Sequence, residues 1–431
     1  MNSVLNDWET RKLKFVATCN DEALSETTDP EFEMEYVDIS SVNLVEGVAA
    51  TETVTFDKAP SRARRVVQDG DTIISTVRTY LKAIASIESP PANMVVSTGF
   101  AVIRPRDEID GSFLGYALQN TAFIESVVAN STGVSYPAIN PSLLTSLPIA
   151  FPRSLATQQQ IAAFLDWKTS QIDALIAKKQ TLLQKLKEKR LAVITHAVTK
   201  GLNPNAPMRD SGIAWLGEVP THWDVKRLKF VARIGNGSTP NREDSAYWDG
   251  GTYPWLNSSV VNQEQVTHAD QFVTPLALAE CHLPCIAPPA VLVGITGQGK
   301  TRGMATTLLF EATINQHLAY VKPDDTKAIV GFLRRVFDMA YAHLRSESEN
   351  GGSTKGAITC EQIAELPIPV PPLDEQKFIS ERIDLGLAKL ARMSDNAESA
   401  IARLTEYRSA LITAATTGKI DVRNVAIPAH A

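Results

Sequence analysis

The chain of 431 residues repeats itself once, almost from end to end. "RKLKFVA" at 11–17 returns as "KRLKFVA" at 226–232, and "FAVIRP", ending at Pro105, returns as "LAYVKP", ending at Pro323. "LTSLPIAFP" around Leu147 returns as "IAELPIPVP" around Leu366, and "LATQQQI" from Leu155 returns as "LDEQKFI" from Leu373. The offset stays between 215 and 219 residues. Two copies are too few for a solenoid, which needs neighbours on both sides of most repeats. They make instead a two-headed molecule with approximate two-fold symmetry, and the length leaves room for a separate core in each head.

Both copies have the same internal order. A body of about 150 residues comes first, with β-rich runs such as "DTIISTV" and "MVVSTGFAVI" separated by turn residues. A Pro-rich exit follows, and then a long helical pattern without Pro. In the first copy, positions spaced alternately by four and three hold Ile161, Leu165, Ile172, Leu175, Leu182, Leu186 and Val193, interrupted by Lys168, Lys179 and Lys189. The same frame in the second copy holds Ile379, Ile383, Gly386, Leu390, Met393, Ala397, Ala400, Leu404, Tyr407, Leu411 and Ala414. One apolar seam in one register, sustained over about five heptads, predicts helix pairing rather than a helix lying on its own domain. The expected fold class is therefore α+β: two tandem α/β-type domains, each followed by a long helix, the helices pairing as an antiparallel coiled coil. The expected boundaries are 1–155 and 202–372 for the bodies, 156–201 and 373–418 for the helices, and 419–431 for a tail.

One local string argues for something else. "VLVGITGQGKTRG" at 291–303 fits the nucleotide-binding pattern G-x-x-x-x-G-K-[ST]. A phosphate loop also needs a helix starting at the Lys-Thr pair. Here Arg302 and Gly303 follow, and then the β-branched "MATTLLFEATI". The repeat offset places Lys300 on Lys82 and lays the string over "TVRTYLKAIASI", which has no trace of the pattern. A position that is basic in both heads and otherwise dissimilar reads as a ligand-reading loop, with no nucleotide cofactor expected.

The net charge of −6 averages over unlike regions. Residues 19–57 contain no Lys or Arg, and "KAPSRARR" follows at 58–65, so a local basic surface on an acidic protein is possible. Four cysteines suit a reducing, cytoplasmic setting. Cys281 and Cys285 flank His282, but no second pair completes a zinc site, and no metal is expected. No apolar stretch approaches a membrane span, and the first residues do not form a signal peptide.

Two unlike heads, each followed by a matching helix, resemble the specificity subunits of type I restriction–modification enzymes. The resemblance rests on "GEVPTHWDVKRLKFVARIGNGSTP", "GDTIISTVRTYLKA" and above all "GSTKGAITCEQIAELPIPVPPLDEQKFIS". The first copy departs from it: "GVSYPAINPSLLTSLPIAFP" lacks the Ser-Thr-Lys, and "LATQQQ" lacks the acidic pair before Gln. The resemblance implies that each head is a target-recognition domain reading one half of a bipartite, asymmetric sequence in double-stranded DNA. It implies helices that set the gap and dock the DNA-methylating (modification) and DNA-cleaving (restriction) subunits. It also implies that this chain is no enzyme, the assembled complex being the adenine methyltransferase and ATP-dependent endonuclease. In agreement, "SPPA" from Ser89 and "APPA" from Ala287 lack the aromatic residue of an adenine-methylation motif. Pro323-Asp324 with Glu375-x-Lys377 is a weak match to a nuclease.

Phosphate contacts supply affinity, and side chains reaching base edges supply sequence choice. On that basis the first head's candidates are Arg62, Arg64, Arg65, Arg78, Tyr80 and Lys82, with Ser131 and Thr132 in a later loop. The second head's are Asn236, Ser238, Thr239, Gln298, Lys300, Arg302, Ser353, Thr354 and Lys355. Trp248, Tyr253 and Trp255 read as core, because duplex recognition needs no unstacked bases. Alternative readings are a solitary specificity-like DNA-binding protein and a coiled-coil scaffold without a nuclease partner.

Overall fold

The duplicated (K/R)LKFVA segment has a local physical meaning. In each copy its Leu and first Val (Leu13 and Val16, Leu228 and Val231) are buried, whereas Phe15 and Phe230 are exposed. A 3-10 turn, Leu13–Phe15 or Leu228–Phe230, carries the chain from one strand into the next, which belongs to a different sheet. The strand before the turn pairs antiparallel with the Pro-rich exit: Trp8–Lys12 with Pro148–Pro152, and Asp224–Arg227 with Pro367–Val370. The strand after it opens the main sheet. The segment thus ties the entrance of each head to its exit.

The computed structural model describes residues 7–297, 299–349 and 356–428. It divides into two compact units, Met1–Thr181 with Ala397–Ala431, and Leu182–Asn396. In the first, the main sheet runs in the order Ala17–Cys19, Phe100–Pro105, Thr72–Ser75, Ile84–Ser86. A second sheet runs Glu52–Thr55, Glu33–Val37, Met94–Ser97, Ala63–Val66, with a parallel pair at its centre. In the second unit, the main sheet runs Ala232–Asn236, Leu318–Pro323, Ala290–Gly294, Ala305–Leu308, Gln265–Val266. Its smaller sheet pairs Tyr253–Leu256 antiparallel with Gln271–Val273 and parallel with Thr313–Ile314. The first four strands of the main sheets correspond in order and direction, so the sequence repeat is a repeat of topology.

The helices after the heads are Leu155–Lys200 and Leu373–Thr416. A buried glutamine in the first turn of each anchors it to its own head. The Gln158 amide donates to the carbonyls of Pro152 (2.7 Å) and Glu108 (3.2 Å), and its oxygen accepts from the Asp110 amide (2.7 Å). Gln376 does the same with Pro371 (2.8 Å), Lys327 (2.9 Å) and the Ile329 amide (2.9 Å). Both side chains are essentially inaccessible to water. Replacing one leaves three buried backbone groups without partners, each a desolvation penalty. Gln376→Leu should therefore cost the second unit about 2–4 kcal/mol, read as a lower midpoint in urea denaturation. A change below about 0.5 kcal/mol would contradict this anchoring role.

Within each unit a half of one long helix runs antiparallel to a half of the other. In the first unit Arg408 Nε donates to Asp173 (3.0 Å). Nearer the start of the first helix, Gln160 donates to the Val425 carbonyl (3.0 Å) in the segment just past the end of the second, so rising numbers on one helix meet falling numbers on the other chain segment. Ile161, Leu165 and Ile172 share one buried cluster with Leu411, Ile412 and Ala415, with Leu404 at its edge. In the second unit Leu186, Ile194, Ala197 and Val198 share a cluster with Ile379, Ile383, Leu387 and Leu390, with Leu182 at its edge.

The strict heptad frame needs correcting at several places, among them Tyr407, which is exposed. Leu175 is 47% exposed, and its neighbour Ile176, 5% exposed, takes the buried place. Met393 is likewise exposed, and Leu387 is buried beside Gly386. Val193 is only half-buried and faces Gly386, while Ile194 is buried next to it. A straight helix drifts by about 20° per heptad from a 3.5-residue seam. These half-helices are also packed on the head of their unit, which shares their cluster, so they need not supercoil to keep a narrow seam together.

Candidate nucleic-acid interface

Strands Thr72–Ser75 and Ala290–Gly294 occupy the same place in their main sheets. The loop leaving each is the one in which the repeat offset superposes Lys82 and Lys300. In the first head this loop makes a single 3-10 turn, Thr79–Leu81, bracketed by Arg78 (φ 50°) and Lys82 (φ 55°). Left-handed backbone at two non-glycine residues costs on the order of 1 kcal/mol each. Side-chain and backbone contacts hold it. The hydroxyls of buried Thr79 and of Ser131 lie 2.8 Å apart, and the Ile139 amide donates to the Thr76 carbonyl (2.9 Å). Val77 and Thr132 each bridge to Ala138. Two loops distant in sequence thereby become one surface, on which Arg78, Tyr80, Lys82 and Thr132 are exposed. Ser131 is a brace within that surface, half-buried, rather than a reader.

The Arg78 guanidinium lies 4.6 Å from the centre of the Tyr136 ring, an attraction that positions it without neutralising it. Among the described residues neither Arg78 nor Lys82 forms an ion pair, so both charges remain available to a polyanion. Arg62 is different. It donates to Asp38 (2.7 Å) and to the Tyr36 hydroxyl (3.2 Å). Burial raises the Asp38 carboxyl, but the Ser40 amide and hydroxyl, Tyr36 and Arg62 outweigh it, and the group stays below its ordinary range. The "SRARR" arginines also do not share a face. Arg62 carries the same-side contacts just given, and Arg64 lies 4.5 Å from the Phe56 ring centre. Arg65 follows on the alternate face of strand Ala63–Val66, toward Cys19, whose thiol burial pushes up to about 11. Arg62 belongs to the same end of the head as the Arg78 loop. Its carbonyl accepts from Thr98, and the next residue, Gly99, accepts from Thr76 (2.7 and 2.8 Å).

In the second head the strand-end loop is a wide hairpin. Gly303 donates to Gly294 and Gly294 to Met304, and the chain goes directly into the antiparallel strand Ala305–Leu308. No helix begins at Lys300 and Thr301, so the loop presents no helix N-terminus to a phosphate. Its carbonyls are held from behind: Tyr341 donates to Lys300 (2.8 Å) and Arg345 to Gly299 (2.6 Å). Lys300 itself is exposed.

Arg302 points the other way. It is 4% exposed and its guanidinium donates to Glu349 (2.6 Å), so it braces the loop from inside and is not available to DNA as the sequence suggested. Gln298, Ser353, Thr354 and Lys355 lie outside the described residues.

Around Lys300, Asn236 is exposed at the end of its strand, and Thr239 donates to Gln316 (2.5 Å). Gln316 approaches His317 Nε2 (3.2 Å), whose Nδ1 meets the Thr296 hydroxyl at 2.8 Å. This chain links three loops into one polar surface. Ser238 is spent inside, donating to the Cys281 carbonyl (2.7 Å). Trp255 is buried, Trp248 and Tyr253 are half-buried in the same cluster, and Arg242 stacks on both tryptophans (4.3 and 4.7 Å). Gln316, His317 and Tyr136 were not singled out from the sequence. The one signal for Gln316 and His317 was that the repeat offset sets them opposite the dissimilar Thr98 and Gly99.

Residues 6–188 and 220–390 each match the model of the type I restriction modification DNA specificity domain. The chain is 22% identical over 444 residues to a Methanocaldococcus jannaschii protein provisionally named the type I restriction enzyme MjaX specificity subunit, covering 98% of this chain and 96% of that one. Its fold is similar to a chain solved in work on the complex assembly and conformational transition of the type I R-M system. That match has a TM-score of 0.75 at 23% identity, over 96% of this chain and 99% of the other. The HsdS subunit from Thermoanaerobacter tengcongensis matches with a TM-score of 0.53 at 23% identity, over 96% and 98% of the two chains.

Proposed function

The chain belongs to the type I restriction modification DNA specificity family, and we propose that its two heads read the two halves of one bipartite target through their strand-end loops. Specificity subunits of these systems recognise DNA and are not themselves catalytic, and this one carries two recognition domains. The observation that carries the finer reading is the pair of loops at 76–83 and 295–304. They leave equivalent strands, expose a cation in each head, and share almost no other residue. Equivalent frames with unlike tips are what two readers of unlike sequences require. In this reading Arg78, Lys82 and Lys300 hold phosphates or guanine edges, with Tyr80, Thr132, Asn236 and Thr239 beside them.

The long helices would set the gap and receive the modification and restriction subunits. Exposed Leu191, Phe378, Leu385 and Tyr407 along them support a docking role. No helix among the described residues is long and apolar enough to cross a membrane. The four unpaired cysteines support action in the reducing cytoplasm.

Lys300→Ala is the direct test. Losing one phosphate contact should weaken duplex binding roughly fivefold at moderate salt and lower the salt slope by about 0.9. Gel shifts across a salt series read both, and circular dichroism checks folding. ATP binding by the isolated wild-type chain, abolished in Lys300→Ala, would refute this reading.

A further inference from the structure

The first head carries an apolar finger among its cations. Thr132 and Ala138 exchange two backbone hydrogen bonds of 2.9 Å, closing a tight loop that turns at Gly133 (φ 112°), where a Cβ would sit 3.2 Å from the Tyr136 carbonyl. At its tip Val134 is 101% exposed, and Tyr136 is 63% exposed. Tyr80 and Leu81, also exposed, stand on the adjoining loop that Thr79 and Ser131 join to the finger. Apolar side chains gathered on one surface mark an interaction site, and Arg78 and Lys82 beside them mark its partner as a polyanion. The second head has a different sequence at these positions. The repeat puts Ser353 and Lys355 opposite Val134 and Tyr136, in step with Leu366 opposite Leu147, and Gln298 and Gly299 opposite Tyr80 and Leu81.

We infer that Val134 reads the 5-methyl group of a thymine in the half-target of the first head. Valine has no polar atom, so on a base edge it can complement only an apolar group. In the grooves of duplex DNA that group is the thymine methyl, which lies in the major groove. Insertion as a wedge between base steps is the other use of an apolar tip. It belongs to minor-groove binders, whose wedges are Phe, Leu, Ile, Met or Pro rather than valine. This inference rests on the reading of the first head as a DNA-recognition domain.

The test uses the specificity subunit assembled with its modification subunits, on a duplex carrying the mapped target. Each thymine of the first half, on either strand, is replaced in turn by deoxyuridine, which removes the methyl and keeps the pairing. At one position the wild type should lose about four- to tenfold in affinity, the worth of one buried methyl group in a packed site. Val134→Ala, at a fully exposed position, should bind the thymine duplex with the same loss and be indifferent to deoxyuridine there. The inference is overturned if no replacement weakens binding, if Val134→Ala stays equally sensitive, or if the half-target contains no thymine. It is also overturned if 2-aminopurine placed in the half-target brightens on binding while deoxyuridine has no effect, because that is a wedge. In each of these cases specific binding by the wild type leaves the recognition reading intact. Absence of any sequence-specific duplex binding would instead defeat that reading, and the inference with it.

Discussion

Exchanging residues 226–366 for the matching segment of a relative should rewrite one half of the methylated target and leave the other half and the gap unchanged. The expectation follows from how the second head closes. Lys226 pairs with Ile368 and Arg227 with Pro367, so both ends of the graft lie on adjacent paired strands. The anchor Gln376 and the helix behind it stay native. The residues we assign to reading in that head, Asn236, Thr239 and Lys300, fall within the graft, as do the sequence candidates up to Lys355. The first head, with the finger and the Arg78 loop, is a separate compact unit with its own cores. Sequencing of methylated sites in a host that also carries the modification subunits would show the result. A new sequence in both halves would mean that the heads do not read independently.

Lengthening the helices should move the two halves of the target apart. Each long helix is continuous through the boundary between the units, at residues 181–182 and 396–397. Seven residues inserted at both places, in helix-forming sequence, preserve the apolar period and leave the packing inside each unit unchanged. They lengthen each helix by about 10 Å, or roughly three base pairs of duplex. Methylated sites should then show a gap longer by about three base pairs. The insertion turns each helix by only about 20° from a whole number of turns, whereas three further base pairs turn the second half-site by about 100° around the duplex, so total loss of activity does not decide the question. Four residues at each place would instead rotate the apolar stripe of each helix and should destabilise the pairing. Full activity on sites with the original gap would rule out the helices as a ruler.

The repeat carried most of the architecture. Its matched segments turned out to be the entrance turn, the central strand, the exit strand and the helix start of each head. The conserved offset also placed Lys82 and Lys300 on equivalent loops before any strand pairing was known. The heptad frame foresaw two long helices that pair, and the two-fold repeat foresaw their antiparallel sense. It missed Ile176, Ile194 and Leu387, because a frame read along one helix cannot register a second neighbour, the head on which that helix also lies. The role of Gln158 and Gln376 was hidden for a related reason. Both were visible as a shared letter, but three buried backbone groups from other segments make that letter necessary.

At the tips the sequence alone went only as far as naming basic and polar residues. Arg302 and Lys300 are two positions apart in one loop, yet one is buried against Glu349 and the other exposed. Arg62, Arg64 and Arg65 form one basic run, yet strand alternation sends the last to the opposite face from its neighbours. Ser131 became a brace and Tyr136 the seat of Arg78 only when strand pairing brought residue 79 beside residue 131. Repeats and periods are relations between residues at fixed spacing along the chain, so the order of elements and the two-headed plan could be read from the letters. Which side chains share a surface depends on contacts between segments some fifty residues apart, and those exist only once the sheets have paired.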